Sequence, residues 1–153
     1  MRIEDILAEE LVIPSLRGHT KPEIIAEMAA VVVEHHPEID HQRLLQALEE
    51  RERLNSTALG EGVAIPHGKL AGVKRVVAAF GRSQEGVDFQ SLDGKPTHLF
   101  FLLVAPEDSA GAHLKALARI SRLLKDGTFR ERLLVAPEQH DLYAIIRAED
   151  ARY

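Results

Sequence analysis

Apolar positions along the chain fall into two rhythms, one helical and one extended. Thr20-Lys21-Pro22-Glu23 has the form of a capping box, and Ile24, Ile25, Met28, Ala29 and Val32 follow at helical spacing. Pro37 closes that helix and Asp40 caps the next, whose apolar stripe is Leu44, Leu45 and Leu48. Arg51 lies seven residues after Leu44, on or beside the same stripe, an unusual place for a charge. From Asn55 to Gly72 the periodicity stops and Gly60, Gly62, Gly68 and Gly72 appear. This stretch reads as mostly loop around one short strand, Val63-Ala64-Ile65, stopped by Pro66.

Val76 to Phe80 predicts a strand, Val87-Asp88-Phe89 a shorter one, and Asp93-Gly94 a turn. Leu99 to Val104 is continuously apolar, as in a central strand covered on both faces, and Pro106 ends it. A helix then begins near Ser109, with Leu114, Leu117, Ile120 and Leu124 expected inward, and stops at Asp126-Gly127. Shorter helices are expected at Phe129 to Leu134 and at Glu138 to Arg147. Strands interleaved with covering helices predict an α/β layered domain, with sheet order left open.

Length and composition narrow this picture. The 153 residues suit one domain, and 45% apolar with 28% charged residues is a globular balance. The longest apolar run, Leu99 to Ala105, is far below the ~20 residues that span a bilayer, and the N-terminus has no signal-like apolar core, so no membrane insertion is expected. The absence of cysteine excludes disulfides, thiolate nucleophiles and cysteine-rich metal sites, and fits a cytoplasmic location. Net charge is −5, with 24 acidic against 19 basic residues, which argues against nucleic acid and towards protein partners.

Eight histidines supply the candidate chemistry. His35 and His36 end a helix and His41 lies in a first turn, ordinary positions for the type. His67 follows Pro66 after a short apolar strand and precedes Gly68, a placement that presents a side chain at the carboxyl edge of a sheet. On local pattern alone, a turn carrying a polar residue is the commoner arrangement. His113 sits in the first turn of the helix after the central strand, where a hydrogen-bonded histidine at the rim of the core is likewise commoner. Both follow strands, so both can project from one edge and hold a phosphoryl group between them. The planar guanidinium of Arg51 suits such a group, although an arginine stem packed over Leu48 with its head in water is the plainer alternative. No helical His-x-x-x-His or His-Glu-x-x-His spacing and no phosphate-binding glycine motif occurs, so neither a metal nor a nucleotide cofactor is expected.

The run from Arg51 through Ile65-Pro66-His67-Gly68-Lys69-Leu70 resembles the signature of the fructose/mannitol/nitrogen class (type 2) of enzyme IIA of the bacterial phosphotransferase system. The likeness continues through Gly86-Val87-Asp88-Phe89, Asp93-Gly94-Lys95-Pro96 and Phe101 to Pro106, and into His113 to Ala118. Asn55 and Ala58 depart from it, standing where glycine is common in the nitrogen branch. The resemblance implies one such domain over residues 1–153, a mixed sheet flanked by helices on both faces, and a histidine phosphotransferase component. It implies His67 as phosphoryl acceptor (through the tele nitrogen), His113 as the second active-site histidine and Arg51 as a conformationally important arginine. Gly68, Ser56 and Thr57 would support the phosphate or its loop. The His-Gly-Lys-Leu run is most similar to the nitrogen-regulatory branch. Such proteins take phosphate from an HPr-like carrier of the NPr type and regulate targets such as potassium transport or sensor proteins. A sugar-specific IIA serving a IIB domain, and a binding module of the same fold without phosphotransfer, are the alternatives.

Overall fold

The computed structural model describes all residues, 1–153, and its centre is the predicted apolar strand. In chain order the elements are β1 (Val12–Ile13), α1 (Lys21–His35), α2 (His41–Leu54), β2 (Ala58–Gly60), β3 (Val63–Ala64), β4 (His67–Leu70), β5 (Val77–Val87), β6 (Thr97–Pro106), α3 (Ala110–Leu124), α4 (Gly127–Val135) and α5 (Gln139–Asp150). Strand order is β1-β5-β6-β3-β2, with β4 also paired to β6. The β5–β6 and β2–β3 pairs are antiparallel and the other three are parallel, so the sheet is mixed. Almost every residue of β6 is buried, as a strand covered on both faces must be. Helices α1 and α2 pack on each other and on β5 and β4; α3, α4 and α5 form a second group against β6 and β1.

The two capping signals hold: Thr20 accepts from Glu23 N at the start of α1 and Asp40 from Arg43 N at the start of α2. Asp126, expected only to stop the preceding helix, also caps α4 by accepting from Phe129 N.

Three expectations need correction, and the N-terminus adds elements that none of them covered. The stretch 55–72 carries three strands rather than one, because β6 supplies a ready row of backbone partners that short segments can join without alternation of their own. Val63 and Ala64 pair with Leu99 and Phe100, and His67 to Leu70 with Leu103 to Pro106. Pro66 ends β3 as expected, but its carbonyl accepts from Leu103 N at 2.9 Å and pairing resumes at once. Secondly, β5 is one strand with an irregularity between Arg82 and Val87, where two strands were expected. Thirdly, Leu114 is 65% exposed and faces away from the core. The buried face of α3 is His113, Ala116, Ile120, Leu123 and Leu124, one residue out of phase with a leucine-led stripe. Finally, the first thirteen residues hold two short 3-10 turns (Ile3–Asp5 and Glu9–Leu11) and the edge strand β1, none of which the pattern suggested.

Candidate functional site

Register brings the two distant histidines together. His67 is the first residue of β4, opposite Leu103 on β6, rather than a residue projecting beyond a strand end. The chain leaves β6 at Pro106 and enters α3 four residues later, with His113 in its first turn. Their ring centroids lie 5.3 Å apart, with the planes tilted at 52°. His35, His36, His98 and His140 instead contact a backbone carbonyl or a neighbouring carboxylate elsewhere on the surface.

The state of the His67 ring follows from its partners. Nδ1 lies 2.8 Å from the carbonyl oxygen of Ile65, which can only accept, so Nδ1 carries the proton. Nε2 receives the Nε–H of Arg51 at 3.2 Å; a guanidinium can only donate, so Nε2 presents its lone pair. Burial lowers the His67 pKa below its ordinary 6.5, reinforced by the Arg51 charge and opposed by the Ile65 hydrogen bond and by Glu52. His113 is lowered by burial first, then by His67 and Lys69. Both rings are therefore neutral near pH 7.

His113 is only 5% exposed, more deeply placed than the expected rim position. Its Nδ1 has no hydrogen-bond partner. Arg51 reaches the site from the last turn of α2, where Nη1 also donates to the Asn55 carbonyl at 2.8 Å. The guanidinium head is thus held against the histidine, not left in water.

The three residues expected to support the phosphate or its loop make packing and loop contacts. A Cβ on Gly68 would lie 3.3 Å from the Ala47 Cβ, so this glycine serves the close packing of β4 on α2. Ser56 Oγ donates to the Phe89 carbonyl at 2.6 Å, and Thr57 Oγ1 donates to Glu52. Both hydroxyls hold the loop; their bonding is directed into the protein. Sequence reasoning gave Glu52, which follows Arg51 at the opening of the family signature, no role, although it continues the Leu44–Leu48 stripe at i+4 and that spacing was available to be read.

The site therefore sits in an α/β domain with a mixed six-stranded sheet, where two imidazoles face each other beside an arginine. Residues 5–149 match the family model of the phosphoenolpyruvate-dependent sugar phosphotransferase system, EIIA 2, and the chain belongs to that family. A nitrogen regulatory protein from Bradyrhizobium diazoefficiens is 39% identical over 95% of both chains. The fructose-specific EIIABC component of Bacillus subtilis is also 39% identical, over 98% of this chain and 24% of that longer protein. The crystal structure of nitrogen regulatory protein IIA-Ntr from Neisseria meningitidis superposes with a TM-score of 0.88 at 35% identity, covering 94% of this chain and 98% of that one. That of IIA mannitol from Escherichia coli shares the fold, with a TM-score of 0.77 at 23% identity over 91% and 97% of the two chains. The resemblance to the nitrogen-regulatory IIA proteins and the helix-flanked mixed sheet expected from the sequence are both met. No helix is long and apolar enough to cross a membrane.

Proposed function

We propose that the protein is a cytoplasmic phosphocarrier that accepts a phosphoryl group on Nε2 of His67 from the phosphohistidine of an HPr-like carrier of the NPr type. Its phosphorylation state would regulate target proteins, among them potassium transport or sensor proteins. The observation that carries this reading is the fixed tautomer of His67, a proton on Nδ1 held by Ile65 and a lone pair at Nε2.

In the step, the Nε2 lone pair attacks phosphorus on the donor. The donor's phosphorus–nitrogen bond breaks, and its electron pair returns to the donor ring nitrogen. A phosphorus–nitrogen bond forms at Nε2 while Nδ1 keeps its proton against the Ile65 carbonyl, which supports the positive charge gained by the ring. One bond replaces another of its kind, so the step is reversible and the protein contributes positioning and charge stabilisation. Arg51 releases Nε2 and pairs with phosphoryl oxygens, and His113 donates a hydrogen bond to them. The scheme calls on no metal and no cofactor.

A second reading is retained because the fructose-specific relative is as similar as the nitrogen regulatory one: a sugar-branch IIA that passes the group to a IIB domain. The test is labelling with phosphoenolpyruvate, enzyme I and an HPr-type donor, using nitrogen-branch and sugar-branch donors separately. Acid-labile label on the wild type and none on His67→Ala is expected, with faster labelling by the nitrogen-branch donor. Normal histidine labelling of His67→Ala would end the assignment, and preference for the sugar-branch donor with onward transfer to a IIB domain would move it to the second reading.

A further inference from the structure

The last turn of α2 carries, beside Arg51, a carboxylate that ordinary stability would not put there. Glu52 is 8% exposed and follows Leu44 and Leu48 on the inward face. A carboxylate near a helix C-terminus faces the unfavourable end of the dipole, and its burial costs desolvation that an apolar side chain would avoid. Three donors offset this: Lys21 Nζ at 2.7 Å, the Thr57 N–H at 3.2 Å and the Thr57 hydroxyl.

Those donors tie the segment 55–57 to the rest of the fold. Lys21, the first residue of α1, also donates to Gln90 Oε1 at 3.0 Å and lies 4.7 Å from the centroid of the Phe89 ring. Ser56 is bonded to the Phe89 carbonyl. Held from both sides, the backbone at Asn55 is extended (φ −160°, ψ 147°), and its carbonyl accepts from Arg51 Nη1 while Arg51 Nε meets His67 Nε2. A continuous line of contacts runs from Lys21 through Glu52, Thr57, Asn55 and Arg51 to the reactive nitrogen.

We propose that Glu52 is the positioning residue of the site: by clamping segment 55–57 it fixes the Asn55 carbonyl, which in turn holds the Arg51 guanidinium over His67 Nε2. This rests on the phosphocarrier reading for its kinetic consequence, though not for its geometry.

The test uses the full chain as wild type, Glu52→Gln, Thr57→Val, Arg51→Ala and the Arg51→Ala/Glu52→Gln pair. In Glu52→Gln the saturating rate of phosphate acceptance should fall roughly tenfold with the donor KM unchanged, since a small misplacement of a clamping group costs rate and leaves the docking face intact. Thr57→Val should show the same pattern more weakly, and carries the test if Glu52→Gln does not fold. In the Arg51→Ala background the second substitution should cost nothing further, because Glu52 acts only through Arg51. By NMR, the Arg51 Nε–H should exchange slowly with water in the wild type and rapidly in Glu52→Gln. Additive losses in the double variant, or an unchanged Arg51 signal in a slowed Glu52→Gln or Thr57→Val, would overturn the proposal. A wild type that takes no phosphate from either donor defeats the phosphocarrier reading instead, and the Arg51 signal then decides the role of Glu52 on its own.

Discussion

Two buried polar sites in this fold are built in opposite ways. Arg82, on β5, is 2% exposed, and its guanidinium donates to the carbonyls of Pro14 (3.0 Å), Leu133 (2.8 Å) and Ala136 (2.5 Å). The last two end α4, where a cation complements the helix dipole. These three bonds run to main-chain carbonyls and tie β5 to the residue after β1 and to the end of α4. At the histidine site, by contrast, bonding is left incomplete. His113 Nδ1 is unpartnered, as are Thr97 Oγ1 and Glu149 Oε2, but only His113 stands against a second neutral imidazole. The Nε2 of His67 is covered only by a guanidinium 3.2 Å away. A closed set of hydrogen bonds marks a group that holds the fold together. At the paired histidines the open set, kept at some cost in stability, leaves polar atoms that a ligand would complete.

That contrast can be broken from either side. The largest effect should come from Arg82→Met, which strands three carbonyls in the core. It should lower unfolding free energy by about 3 kcal/mol, or roughly a hundredfold in the folding equilibrium, in urea titrations. Its labelling rate below the melting transition should match the wild type. A stable Arg82→Met would show that the carbonyls find other partners and that completeness of bonding is no guide here. Next comes His113→Phe, a swap of similar size and shape. It should leave stability within about 1 kcal/mol of wild type or raise it, because an unpaired buried nitrogen is removed. Phosphate acceptance should slow about tenfold to a hundredfold as the phosphoryl group loses a donor. A stability loss as large as that of Arg82→Met would place His113 with the structural groups.

The smallest effect concerns pH. With its pKa held below the ordinary 6.5 by burial, His67 keeps its lone pair as the solution is acidified through that value. The acceptance rate should therefore change less than about twofold between pH 8 and 6.5, measured with a donor whose own titration is accounted for, and fall only below. Stability carries the same sign. Below 6.5 the unfolded chain binds protons that His67 and His113 refuse while folded. The contribution is thus full above that pH and lost as pH falls through the depressed folded values, visible as a declining melting temperature in acid. A rate that already drops at pH 7 would mean a less shielded ring than Arg51 and Ile65 imply.

What the amino-acid order revealed, and what it hid, follows from the range of the forces involved. The helix starts at Thr20 and Asp40 were legible because a cap is a contact between residues three apart. Strand β6 was legible because burial on both faces leaves an unbroken apolar run. The strands β2 and β4 owe their existence to pairing rather than to their own composition, so Ala58, Gly60 and Gly68 read as loop. On α3 the leucines drew the stripe to Leu114, which is exposed, while His113, expected at the rim of the core, is the buried residue of that turn. The meeting of His67 with His113 depends on the pairing of β4 with Leu103 and on the short link from β6 to α3. Neither is a local property; that both histidines follow strands made the meeting conceivable, and the resemblance to a family made it the expectation. Glu52 was given no role because Arg51, the charge beside the leucine stripe, drew attention away from its neighbour.

The hydrogen bond between Nδ1 of His67 and the Ile65 carbonyl, which fixes the tautomer, also fixes the ring against rotation. A ring that cannot turn has one open nitrogen facing one way, so cargo must arrive and depart through a single doorway. Giver and receiver, whatever their identities, then compete for the same threshold and cannot occupy it together. Traffic through the proposed carrier should accordingly alternate in double-displacement order, with parallel lines in a double-reciprocal plot of the two partners and mutual inhibition when either is in excess.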